Sequence, residues 1–289
     1  MMDYFLLTVV QIIDSIAELV LVSLGLAVIF GMMRVINLAH GEFIMLGGFT
    51  AIFAVNLGIN VWIAILIVAP CMVGILGLII ERLIIRHLYG RMIDTMLATW
   101  GLSLLLTGLA TSLFGNRVQG ISAPLGSIDF AGFSISLYNQ FMVIVCLILV
   151  IGGYALLRFT RLGLIARATM QNPEMSASLG INQSRVFAMT FSLGAALSGL
   201  TGALLAPLSG VVPTMGAAYV SKAFITVITG GASVITGTGL SASLLGSIGT
   251  VSTFLSNPIF GDIALLAAAL ILLRILPTGI TGKIFRGAS

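Results

Sequence analysis

The chain has 289 residues, 59% of them hydrophobic and only 8% charged, with 13 Lys and Arg against 9 Asp and Glu for a net charge of +4. A soluble globular domain carries about a quarter of its residues as charges, and the mean hydropathy here is +1.19. A water-soluble enzyme, a disordered chain and a secreted disulfide scaffold are therefore excluded, and the chain reads as an integral membrane protein.

The charges punctuate the elements. Residues 43–80, 95–116, 130–157, 186–221 and 223–261 contain none. One spanning helix needs about 20 apolar residues, so the three longest runs, 43–80, 186–221 and 223–261, hold one or two spans each. None alternates polar and apolar residues in short segments, which disfavours a β-barrel. In chain order, residues 3–14 read as a short interfacial helix with Asp3 and Asp14 facing water. Spans follow at 15–33, 41–58, 61–81, 93–114, 138–157, 185–207, 217–236, 238–256 and 260–276. Residues 34–58 and 217–256 are rich in glycine and small residues and admit re-entrant or broken helices. The fold class is all-α: a polytopic transmembrane helical bundle of about eight or nine spans, one domain over 1–289. Cys71 and Cys146 sit in apolar runs without a CxxC pattern and read as buried small hydrophobes.

Basic residues orient the bundle. With the Arg82–Arg91 loop inside, 11 of the 13 basic residues fall inside, Arg117 alone falls outside, and Lys222 falls within a span. The N-terminus is then outside and the C-terminus inside a bacterial cytoplasmic (inner) membrane. Of the two long connections, the outer one, 115–137, suits a small hairpin or a surface helix. Small residues recur four apart at Gly194, Ser198, Gly202 and Ala206, and at Ser23, Ala27 and Gly31. Such faces let helix backbones approach closely in lipid, and internal packing is the expected use.

Three constellations could carry chemistry. Between two apolar spans, residues 34–42 place Asn37, His40 and Glu42 at the membrane boundary, where polar groups must be satisfied or wetted. They read either as a cytoplasmic turn, with Asn37 capping the next helix and Glu42 at its favourable N-terminal end, or as a gate on a substrate pathway. The inner connection, 161–184, contains Asn172 as a helix cap, Pro173 at a first helical position, Glu174 in the first turn and Gly180 as a stop. It predicts a short cytoplasmic helix over about 173–179 with Ser176, Ala177 and Ser178 as a small-residue surface, suited to docking a cytoplasmic partner. Lys222 is a lone lysine within a span, and reads either as a functional or structural polar contact or as a snorkelling side chain. Gly230 and Gly231 further along suggest close packing or a helix break.

No nucleotide or metal site is expected. A P-loop needs Lys followed by Ser or Thr, whereas Lys222 and Lys283 precede Ala and Ile, and His40 and His87 form no metal-ligand cluster. No catalytic constellation stands out, so the chain is not expected to be an enzyme.

Three blocks carry a family resemblance. VINLAHGEFIMLGG at 35–48, RATMQNPEMSASLGIN at 167–182 and LPTGITGK at 276–283 resemble, respectively, the VIN-x-AHGE block, the cytoplasmic coupling region and the C-terminal PTG block of permease subunits of ABC importers for branched-chain amino acids and for urea or short-chain amides. Glu174 to Gly180 is similar to the start of the EAA-x3-G coupling motif of ABC importers, although the motif's later Ile-x-Leu-Pro part is absent. The resemblance implies a coupling role for Arg167, Gln171, Asn172, Pro173, Glu174, Ser176 and Gly180, and a substrate pathway near Asn37, His40, Glu42 and Lys222. It also implies a second homologous permease chain, two cytoplasmic ATPase subunits that bind the ATP, and an extracytoplasmic substrate-binding protein, with no cofactor in this chain. Residues 97–106 and 171–181 lean toward the urea and amide branch, while 222–224 and 276–279 lean toward the amino-acid branch, and the balance falls to urea or amides. Outside the ABC class, a stand-alone channel or secondary carrier for a small neutral solute is the alternative.

Overall fold

The computed structural model describes residues 2–130, 133–231 and 233–286, and the side chains of Asp3, Lys283 and Arg286 lie outside the described residues. The order is α1 (Met2–Met33), α2 (His40–Asn56), α3 (Val61–Ile63), a π-helical stretch Ala64–Val68 leading into α4 (Ala69–Leu83), a 3-10 turn Ile85–Leu88, and α5 (Met92–Phe114). Strands β1 (Ser127–Phe130) and β2 (Phe133–Ser136) then form an antiparallel hairpin pairing Ser127 with Ser136, the first of the two expectations for the outer connection. After them come α6 (Leu137–Phe159), α7 (Arg161–Gln171), α8 (Pro173–Ser178), α9 (Gln183–Ser209), α10 (Gly216–Gly230), α11 (Val234–Leu255), α12 (Pro258–Ile275) and α13 (Gly279–Arg286).

Among the described residues, seven stretches are long and apolar enough to cross a membrane: Leu7–Met33, Val61–Leu83, Met92–Phe114, Leu137–Phe159, Gln183–Ser209, Val234–Leu255 and Pro258–Gly282. The sequence suggested eight or nine spans. The difference lies in α2 and α10, which have only 17 and 15 residues. α10 stops at Gly230 because Gly231 takes φ +86°, a left-handed conformation that glycine adopts without a Cβ penalty. The helix break anticipated there is present. The separate interfacial helix over 3–14 is not: α1 runs unbroken from Met2 to Met33. Asp14 does not simply face water either. Its carboxylate accepts hydrogen bonds from Asn139 Nδ2 (3.3 Å) and Gln140 Nε2 (3.2 Å) of α6. Cys146 is buried as expected, whereas Cys71 is exposed.

The chain divides into two compact units. One, here the terminal unit, comprises Met1–Ser23, Ala123–Gly152 and Lys222–Ser289; the other, the central unit, comprises Leu24–Ser122 and Gly153–Ser221.

The central unit is built around α9. Its small-residue face lies against α1 and α2 so closely that a Cβ on Gly202 would fall 1.7 Å from the Ile44 carbonyl oxygen, and one on Gly47 would fall 2.0 Å from that of Gly199. The stripe read from the sequence is therefore spent on internal helix packing, where small residues let backbones approach without lipid between them. Ile29, Phe43, Val73, Ile80, Leu102 and Phe191 fill the core. Phe43 meets Phe191 edge to face at 6.0 Å, and Phe49 stacks on Phe114 at 4.3 Å, geometries that aromatic quadrupoles favour.

In the terminal unit α11 and α12 form a close pair, with Gly261 packed against Thr253 and the Gly249 carbonyl. The break after α10 leaves backbone groups without helical partners, which is costly in a membrane. Thr281 of α13 satisfies two of them: its hydroxyl donates to the Gly230 carbonyl at 2.6 Å and accepts from Ser233 N–H at 3.1 Å.

Candidate functional site

The linker between α1 and α2 is the first candidate. Arg34 ends α1 with φ +53°, and the linker backbone is held by Thr99 of α5, whose hydroxyl accepts from Leu38 N–H at 3.1 Å and donates to the Ile36 carbonyl at 3.2 Å. Asn37 Oδ1 accepts from Ala39 N–H at 3.1 Å. Asn37 therefore makes a tight side-chain turn ahead of the helix; the N-cap itself is Ala39, which offers no side-chain cap. This corrects the expectation of an Asn37 cap. Glu42 does lie in the first turn of α2.

Asn37, His40 and Glu42 are all buried. His40 Nδ1 lies 3.1 Å from Ser198 Oγ of α9. Glu42 Oε1 lies 3.5 Å from Thr107 Oγ1, at the outer limit of a hydrogen bond, while Glu42 Oε2 and Asn37 Nδ2 have no hydrogen-bond partner among the described residues. A Cβ on Gly41 would fall 2.0 Å from the Gly216 carbonyl oxygen, so backbone also closes over this end of α2. The geometry is that of a sealed polar knot inside the central unit.

The second candidate is the connection 158–184, also in the central unit. Thr160 caps α7 by accepting from Gly163 N–H, Asn172 caps α8 by accepting from Met175 N–H at 3.0 Å, and Asn182 caps α9 by accepting from Arg185 N–H at 3.1 Å. Three capped helix starts in succession make a structured element, because each cap satisfies an otherwise orphaned backbone donor. Gly180 takes φ +85°, the stop read from the sequence. Arg167, Gln171, Asn172 and Glu174 are exposed and Pro173 is partly buried.

Ser176 departs from expectation. It is buried, its hydroxyl donating to the Asn172 carbonyl at 2.9 Å, so of the three small residues only Ala177 and Ser178 are exposed. Met175 and Leu179 stand out, 59% and 76% exposed. Exposed apolar side chains grouped outside the spanning helices are a common mark of a protein contact.

Beside this element, Glu81, Arg82, Arg86, Asn182, Ser184 and Arg185 line a cavity of about 260 Å³. The buried Glu81 carboxylate accepts a hydrogen bond from the Tyr89 hydroxyl, and the Tyr89 ring meets Phe187 edge to face at 5.0 Å. Burial, and then the Glu81 carboxylate, push the Tyr89 phenol well above its ordinary value, so Tyr89 stays a hydrogen-bond donor. The three arginines give the rim a positive character.

Lys222 belongs to the terminal unit, apart from Asn37, His40 and Glu42 in the central one. Its Nζ pairs with Asp262 Oδ1 of α12 at 3.0 Å, so of the two readings of this lysine the structure displays the polar contact. Its side chain is 35% exposed and that of Asp262 60%. In water such a pair would contribute about 1 kcal/mol or less. Both groups, with Glu18 of α1, line one cavity.

Sequence reading missed Glu18 and Asp262. A signal was available: Gln11, Ser15 and Glu18 fall at i, i+4 and i+7, on one face of a helix.

Comparisons with known proteins identify the family of the chain. The profile of a family described as branched-chain amino acid transport system / permease component matches residues 8–276. The permease protein LivH of the high-affinity branched-chain amino acid transport system of Salmonella typhimurium is 27% identical over 279 residues, covering 91% of each chain. The corresponding protein BraD of Pseudomonas aeruginosa is 29% identical over 281 residues, again covering 91% of each. More distantly, the autoinducer 2 import system permease protein LsrC of Yersinia enterocolitica is 28% identical over 266 residues, 89% of this chain and 71% of the relative. No solved structure matches the chain.

Proposed function

This chain belongs to the family of branched-chain amino acid transport permeases, and we propose that it forms, with a second homologous permease chain, the translocation path of an ATP-driven importer for branched-chain amino acids. The family is one of transport components and not of enzymes. In this reading two cytoplasmic ATPase subunits bind and hydrolyse the ATP, and an extracytoplasmic binding protein delivers the substrate. The N-terminus lies outside, and the connection 158–184 faces the cytoplasm.

The observation that carries the coupling role is α8. It is short, capped by Asn172, exposed at Glu174, Met175 and Leu179, and flanked by an arginine-lined cavity. Only residues 179–182 separate α8 from α9. Because α9 is locked against α1 and α2 by backbone contact, a push on α8 is passed to the central unit as a body, since close-packed interiors transmit strain. Arg167, Gln171, Pro173, Ser176 and Gly180 belong to the same coupling element, and Asn37, His40 and Glu42 are the candidates for a buried gate in the same unit.

The substrate follows from weight of likeness. The sequence left urea and short-chain amides open beside amino acids. The family description, LivH and BraD all carry branched-chain amino acid names, which moves the choice to amino acids.

The test is ATPase activity and uptake by the reconstituted complex with its binding protein. Leucine stimulates both in this reading, and urea and acetamide stimulate neither. Glu174→Arg combined with Gly180→Pro abolishes leucine uptake while the complex remains folded and retains basal ATP hydrolysis. Unchanged uptake in that variant rejects the docking role of α8, and uptake by the permease without any ATPase returns the stand-alone carrier.

A further inference from the structure

We propose that the cavity of the terminal unit binds the headgroup of a zwitterionic amino acid, Lys222 receiving the carboxylate and Glu18 the ammonium. The proposal rests on the reading of the chain as an amino-acid permease and deepens it.

Of the few charged residues in this chain, three converge on one cavity of about 180 Å³: Glu18 from α1, Lys222 from α10 and Asp262 from α12. Glu18 and Asp262 lie in stretches apolar enough to span a membrane, where ionisable side chains are costly and mark substrate or ion sites. Gln11 and Ser15 continue the Glu18 face of α1, and Thr253 of α11 adds a further hydroxyl. A ligand pocket for a drug-sized molecule is about 300 Å³ or more, so this cavity suits a headgroup.

The charges are unequal. Two carboxylates face one ammonium, and Lys222 is engaged by Asp262 at 3.0 Å. Glu18, on which the charge of Lys222 also acts, has no ion pair of its own among the described residues, so the site is one cation short of its two carboxylates. An amino acid supplies that cation in its ammonium group and, with its carboxylate, competes with Asp262 for Lys222. Asp262 can yield, because its side chain is 60% exposed and is not held in place by packing. A neutral amide brings neither charge. Besides Thr250 and two glycines, the remaining lining is the apolar Leu19, Phe254 and Leu265, which gives a branched aliphatic side chain a surface beside the charged end. One polar end and one apolar end in a small cavity match the two ends of a hydrophobic amino acid.

The experiment is leucine uptake by the reconstituted complex at saturating binding protein, with basal ATPase and monodispersity as controls. Lys222→Met and Glu18→Gln each lower the uptake rate at least about tenfold, the loss expected when one charge-assisted hydrogen bond is removed. Lys222→Arg, which keeps the charge, retains most of the rate. Asp262→Asn keeps or raises the rate, because it removes the carboxylate that competes with substrate. If Lys222→Met and Asp262→Asn lose uptake alike, the pair is only an interhelical tie and the proposal is overturned. Wild-type uptake by Lys222→Met overturns it too. A wild-type complex that takes up urea and ignores leucine overturns the amino-acid reading itself, and this site with it.

Discussion

The two units solve the problem of packing in lipid in opposite ways. The central unit brings backbones together along α9: Gly194, Gly199 and Gly202 let α1, α2 and α4 press in until no Cβ could be added. The terminal unit instead ties its helices together through polar and charged side chains. Asp14 takes two amide donors from α6, Thr281 plugs a helix break, and Glu18, Lys222 and Asp262 share a cavity. The first arrangement is stiff because its contacts are steric. The second depends on hydrogen bonds and ion pairs that can change partners, which is what a site handling solute requires.

This contrast can be broken or sharpened by substitution. The largest effect is expected at Gly202→Leu, whose Cβ alone would fall 1.7 Å from a backbone carbonyl. A backbone cannot yield as a flexible side chain does, and overpacking of a tight core costs roughly 1–3 kcal/mol or more. The variant should give little monodisperse protein in detergent, and a normal yield would mean that α2 and α9 are less tightly joined than drawn. A smaller loss is expected at Asp14→Ala in the terminal unit, which strands the amide donors of Asn139 and Gln140. An unsatisfied partner costs about 1–3 kcal/mol, read as a lowered melting temperature, with Asp14→Asn recovering part of it. The smallest effect is expected at Gly108→Ala on α5, where a Cβ meets nothing within 4 Å. Alanine there should leave stability unchanged or raise it by up to about 1 kcal/mol. Equal damage from Gly108→Ala and Gly202→Leu would show that glycine content, and not its location against α2, governs the unit.

Much of this was legible in the sequence for a physical reason. Charge-free runs report burial in lipid directly, so helix positions were readable, as were the Asn172 cap and the Gly180 stop, whose signals are local. The short lengths of α2 and α10 were less so, because hydropathy continues through Gly231 while the backbone does not. Ser176 was placed outward by its neighbours in sequence, yet its hydroxyl turns back to the Asn172 carbonyl. Lys222 stood out alone, but its partner lies forty residues later on another helix, and periodicity within one segment carries no information about such pairings. The knot of Asn37, His40 and Glu42 was visible as a polar interruption, whereas its closure by Ser198 and Gly216 is purely tertiary.

The Thr281 hydroxyl gives the break between α10 and α11 a place in time as well as in space. A chain emerges from the ribosome N-terminus first, and both Gly230 and Ser233 are made some fifty residues before the threonine that serves them. Until residue 281 has been synthesised, the break has two backbone groups with no hydroxyl to meet them. The joint between α10 and α11 is thus completed only once α13 is made, and a truncation just short of Thr281 would leave α12 whole but this joint unfinished.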